Sequence, residues 1–90
     1  MLKQLYSNIY YKVMEVSLNG GEEISQHEAT SDAFIIVKEG TGKIIFSDNE
    51  IELQRGSTFV IPANKQHRLR VNDTFNACII FASGGEIKFL

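Results

Sequence analysis

Gly56-Ser-Thr-Phe-Val-Ile-Pro62-Ala-Asn-Lys-Gln-His67-Arg-Leu-Arg-Val71 is the stretch on which the fold of this chain turns. Ser57 to Ile61 reads as a short β-branched and aromatic strand. Pro62 ends it, because proline has no N–H for a ladder and belongs at an edge, a bulge or a loop. Beyond the interruption, His67-Arg-Leu-Arg-Val71 alternates strictly. Arg68 and Arg70 cannot be buried in a small barrel without a large desolvation cost, so they face water. Leu69 and Val71 then face inward, and His67 shares their parity. The reading places His67 inside, at the start of its strand and near a barrel rim.

The same logic extends outward along the chain. Strands are expected at Ile9–Leu18, Glu22–His27, Ala33–Lys38, Lys43–Phe46, Glu50–Leu53, Ser57–Ile61, His67–Val71, Thr74–Ala82 and Glu86–Leu90, separated by Gly, Asn and Asp turns. In Glu50–Leu53, Ile51 and Leu53 face the core and the two glutamates face water. No window carries a helical period, and the connections are too short for βαβ crossovers. The expectation is an all-β antiparallel sandwich or barrel.

Ninety residues make one domain, with no internal repeat or linker. A chain this short has a thin stability margin, which oligomerisation commonly widens. A net charge of −2 with no basic stripe gives no footprint for nucleic acid. No apolar run approaches the length of a membrane span, and Met1 to Asn8 lacks the apolar core of a signal peptide. Cys78 is the only cysteine, so no internal disulfide forms, and a cytoplasmic location is expected. Cys78 reads as a small packed residue rather than a nucleophile.

His27 and His67 are the only two histidines. Each has two readings. One is a partly buried imidazole bonded to a backbone carbonyl, as buried polar groups usually are. The other is a metal or ligand contact. The strand carrying His27 is too polar for parity to orient it.

These residues resemble the two motifs of the cupin superfamily. The first family motif is Gly, five residues, His-x-His, three or four residues, Glu, six residues, Gly. Here Gly21, His27 and Gly40 match, while Ala29 and Ala33 stand at the second His and the Glu. The second is Gly, five residues, Pro-x-Gly, two residues, His, three residues, Asn. Here Gly56, Pro62 and His67 match, Asn64 replaces the second Gly, and Val71 replaces the Asn. The resemblance runs from about Val13 to Phe81. His27-Glu-Ala-Thr-Ser-Asp32-Ala and Pro62-Ala-Asn-Lys-Gln-His67 are also similar to a small cupin subgroup. It implies a single cupin domain over residues 1–90, with its barrel at about 13–82. The implied fold is an antiparallel double-stranded β-helix, or jelly roll, with ligands gathered at the wider end.

The family's metal site is a three-His, one-carboxylate set, so the resemblance points to His27 and His67 as metal ligands for Zn, Fe, Mn or Ni. Only these two of the four positions are retained, and divalent sites of this kind usually need three or more protein donors. Asp32 and Glu28 are the nearest substitute carboxylates, each one residue out of phase with a lost ligand. The two alanines also make room. A ligand pocket is therefore expected from His27, Ile35, Val37, His67 and Leu69, suited to a small, partly apolar molecule with a polar group. The same residues also fit a plain packed core.

Three function classes follow: a small-molecule-binding cupin, a metal-dependent enzyme of the dioxygenase, isomerase or decarboxylase type using His27 and His67, and a structural or interaction module. Tyr6, Tyr10 and Tyr11 are candidates for packing or a subunit contact, and a homodimer is the expectation.

Overall fold

The computed structural model describes all 90 residues and contains ten strands and no helix. In chain order these are β1 (Leu2–Ser7), β2 (Tyr11–Leu18), β3 (Glu23–Ala29), β4 (Ala33–Glu39), β5 (Gly42–Ile45), β6 (Glu50–Leu53), β7 (Thr58–Ile61), β8 (His67–Val71), β9 (Phe75–Ala82) and β10 (Ile87–Phe89). They form two five-stranded sheets, ordered β1-β2-β9-β4-β7 and β10-β3-β8-β5-β6, with every pairing antiparallel. This is the jelly-roll architecture expected from the sequence.

Alternation builds the core between the sheets. Val16 on β2, Ile35 and Val37 on β4, and Phe75 and Ala77 on β9 face Ile44 on β5 and Leu69 and Val71 on β8, all buried. Removing a side chain such as Ile35 or Phe75 from water stabilises the fold by about 1.5–3 kcal/mol before conformational entropy is counted. Leu53 is buried and its glutamate neighbours Glu50 and Glu52 are exposed. On β8, His67, Leu69 and Val71 are buried while Arg70 is exposed and Arg68 half-buried, so the parity argument holds.

The N-terminal region differs from the sequence reading. The first strand begins at Tyr11 rather than Ile9, and β1 precedes it. The Asn8 side-chain oxygen accepts the N–H groups of Tyr10 and Tyr11 at 2.8 and 2.9 Å, an Asx turn that folds β1 back onto β2. All six residues of β1 are exposed, so no buried face marks it in the sequence. Cys78 lies half-buried on the outer face of its sheet, on the parity of Asn76 and Ile80. No helix is long and apolar enough to cross a membrane.

Candidate functional site

His67 enters the barrel from a pinned turn. Asn64 in the β7–β8 connection has φ of 60°, the left-handed region that asparagine tolerates better than most residues after glycine. Its N–H donates to the Ala29 carbonyl at 2.7 Å, and the neighbouring Ala63 N–H donates to Asp32 Oδ1 at 2.8 Å. The turn is thereby tied to the end of β3 and to the β3–β4 connection. Asp32 is a turn-holding acceptor, which accounts for its oxygen without any metal. Glu28 alternates with His27 and Ala29 along β3, and pairs in register with Lys88, so it faces away from them.

His27 reaches the same place by a different device. Ile24 pairs with Leu69 and His27 pairs with His67, so β3 spends one more residue than β8 between the two pairs. That extra residue is a β-bulge, and it reverses the alternation beyond it. Counted strictly from the inward Ile24, His27 would point to solvent; with the bulge it lies directly across from His67. The ring centroids are 4.2 Å apart. Phe89 of β10 packs on His27 at 5.4 Å, and Phe46 on His67 at 5.8 Å.

Both rings are held the same way. His27 Nδ1 lies 2.7 Å from the Ser25 carbonyl, and His67 Nδ1 lies 2.8 Å from the Lys65 carbonyl, each two residues back. A carbonyl only accepts, so each Nδ1 carries the proton and each neutral ring keeps a bare Nε2 lone pair. The two sequence readings are thus compatible: Nδ1 satisfies the backbone, and Nε2 remains free for a ligand.

The rings head a cavity of about 40 Å³ lined by His27, Ala29, Ala33, Ile61, His67, Ile79, Phe81 and Ile87. At roughly 10–15 Å³ per water-sized group, it takes about three such groups. Of the expected lining residues, His27 and His67 are present. Ile35, Val37 and Leu69 are packed in the core instead, because shared parity fixes the face of a side chain but not its height in the barrel. The residues the sequence reading missed, Ile61, Ile79, Phe81 and Ile87, come from three strands that meet at this end only through sheet register.

Three or more donors are needed for a tightly held metal, and no group of three His, Cys, Asp or Glu side chains is gathered anywhere in the fold. Ala29 and Ala33 line the cavity where the resemblance would put the missing His and Glu. The donor set does not fit the four-ligand centre.

Burial holds the His67 imidazole below its ordinary pKa; the Lys65 carbonyl opposes that shift and the adjacent His27 adds to it. His67 is 5% exposed, and the unfolded chain would titrate near 6.5. Between the depressed folded value and 6.5 the unfolded chain binds more protons, so stability rises with pH across that window. We therefore expect a urea midpoint that is level above about pH 6.5 and falls as the pH drops below it. His67→Gln should flatten this limb, and an unchanged slope in that variant would assign the limb to other groups.

A family model described as "Cupin domain" matches residues 14–83. The chain is similar to a cupin-2 domain containing protein from Shewanella frigidimarina, with 31% identity and a TM-score of 0.79, covering 89% of this chain and 78% of that one. It is also similar to a cupin superfamily protein from Desulfitobacterium hafniense, with 23% identity and a TM-score of 0.84, covering 91% and 75%. The salicylate 1,2-dioxygenase of Pseudoaminobacter salicylatoxidans, in complex with gentisate, shares the fold at 18% identity and a TM-score of 0.84; the match covers 97% of this chain but 28% of that enzyme. A search of curated proteins gave no match. The family match, the relative from Shewanella and the jelly-roll topology agree: the chain belongs to the cupin domain family.

Proposed function

We propose that this cupin binds a small, partly apolar molecule carrying a hydrogen-bond donor, in the cavity headed by His27 and His67. One observation carries the reading. The two imidazoles are the only polar side chains among the eight that line the cavity, and both present Nε2 after committing Nδ1–H to backbone carbonyls. An apolar pocket with a few convergent polar atoms is the usual form of a small-molecule site. Neutral Nε2 atoms accept, so the complementary head group is a hydroxyl, amide N–H or ammonium rather than an ionised carboxylate.

The metal-enzyme reading has less behind it, since two imidazoles lack a third donor. A purely structural role has the small size of the cavity in its favour.

Ligand screening by thermal shift at pH 7.5 tests the proposal, with ethanol, propanol and acetamide, sized to a cavity of about 40 Å³, set against acetate. A ligand at tenfold its Kd adds about 1.4 kcal/mol of stability, a Tm rise of several degrees for a domain of this size. The donors should stabilise the wild type and lose that effect in His67→Ala. No shift from any donor, or equal shifts in the variant, would overturn the ligand reading and leave the structural one.

A further inference from the structure

The two arginines that face outward from β8 are not equivalent. Arg70 sits between Glu23 on β3 and Lys43 on β5, and its Nε lies 3.3 Å from Glu23 Oε2. Lys43 is paired in turn, with its Nζ 3.5 Å from Glu50 Oε1. Arg68 has neutral neighbours on both sides. Ile45 stands opposite it on β5. On β3 the bulge sets Ser25 and Gln26 against it, between the Ile24–Leu69 and His27–His67 pairs. Arg68 is half-buried, yet its guanidinium enters none of the four ion pairs of the fold. A cation partly withdrawn from water without a counter-ion carries a desolvation cost that a bound anion would offset.

Arg68 lines a groove of about 460 Å³, a volume within the range of small-molecule sites. Arg68 and His67 have opposite parity, so the groove and the imidazoles lie on opposite sides of β8. Lys65 supplies a second cation to the groove. Its Nζ sits 4.3 Å over the Phe46 ring and 3.9 Å from the exposed Asp48 Oδ1, too far for a hydrogen bond, so its N–H donors stay available. Gln26 Nε2 donates to Gln66 Oε1 at 2.9 Å, which leaves the amide N–H groups of Gln66 unspent. Ser47 adds a hydroxyl, and no carboxylate lines the groove. In a chain of net charge −2 this is a local concentration of positive charge and of donors.

We propose that this groove binds the phosphate group of a small organic phosphomonoester. A guanidinium fork matches two oxygens of one phosphate. A phosphomonoester carries a charge of about −1.5 to −2 near neutral pH, which Arg68 and Lys65 together balance, whereas a monocarboxylate would leave one of them unmatched. The site is distinct from the histidine cavity, and either can be filled while the other is empty.

An NMR titration of isotope-labelled protein at pH 7.0 and fixed ionic strength tests the site, with phenyl phosphate as probe and benzoate as its monoanionic counterpart. Phenyl phosphate should bind with a Kd below about 10 mM, and benzoate more weakly. Arg68→Gln should weaken phenyl phosphate about tenfold. Arg70→Gln, the same change of charge on the same strand, should leave its Kd within about twofold. The wild type alone supplies a readout that does not depend on any variant folding: the Arg68 Nε–H and the side-chain amide resonances of Gln26 and Gln66 should move, and the Arg70 Nε–H should not. No binding of phenyl phosphate by about 10 mM overturns the proposal. So does benzoate binding as tightly, a loss in Arg70→Gln as large as in Arg68→Gln, or a pattern of shifts that spares Arg68.

Discussion

Gly40→Ala should cost about 4 kcal/mol or more, against a total near 5–13 kcal/mol for a chain of this length. Gly40 has φ of +86°, which any L side chain resists. The added methyl carbon would also sit 2.2 Å from the Thr74 carbonyl oxygen and 2.9 Å from Phe75 Cα. Both are backbone atoms at the entrance to β9, and Phe75 itself is 1% exposed in the core, so neither can swing aside. Gly56 is the control. Its φ is +87°, but a Cβ there meets nothing within 4 Å. Gly56→Ala should cost only the conformational strain, about 1–2 kcal/mol. Urea unfolding of the pair separates strain from collision, and equal losses in the two variants would show that the close approach to β9 relaxes freely.

The second large effect is a gain. Ala29→His with Ala33→Glu restores the two ligand types that the family motif carries at those positions, in a cavity already headed by His27 and His67. The wild type should hold less than about a tenth of an equivalent of Zn²⁺ or Co²⁺ after desalting, because two imidazoles are too few. The double variant should approach one equivalent, with affinity raised roughly 100-fold or more. Stability should move in opposite directions in its two states. Without metal, a carboxylate at position 33, where the alanine is 7% exposed, is costly to bury, and the Tm should drop below wild type. With metal, binding to the folded state alone should carry it above. Cobalt absorption and thermal melts follow both changes. A double variant that takes up no more metal than wild type would mean that the four positions do not converge.

How much of this was legible before folding depends on whether the signal was local. His67 was placed by five consecutive residues, since Arg68 and Arg70 leave one orientation for everything else on β8. The bounds of β6 and β8 were read as they stand for the same reason. His27 was not orientable, because its bulge appears only when β3 is counted against β8. Strand β1 has no buried face and therefore no periodic mark. The pocket lining went astray at Ile35, Val37 and Leu69 because alternation specifies a side of the sheet, whereas Ile61, Phe81 and Ile87 are gathered by the heights at which strands pair. The loss of the family's ligands at Ala29 and Ala33 is what the resemblance to the family motif implies.

The bulge in β3 has an evolutionary side. Substitutions can remove an imidazole, but closing the bulge with every residue of β3 retained would turn His27 outward and bring Gln26 across from His67, with the rest of the barrel free to stay as it is. Strand β3 is bordered on one side only by the three-residue β10, so little structure stands in the way of such a slip. Among relatives that keep both histidines at this spacing, the presence of the bulge would separate those that possess the paired-imidazole site from those that merely spell it.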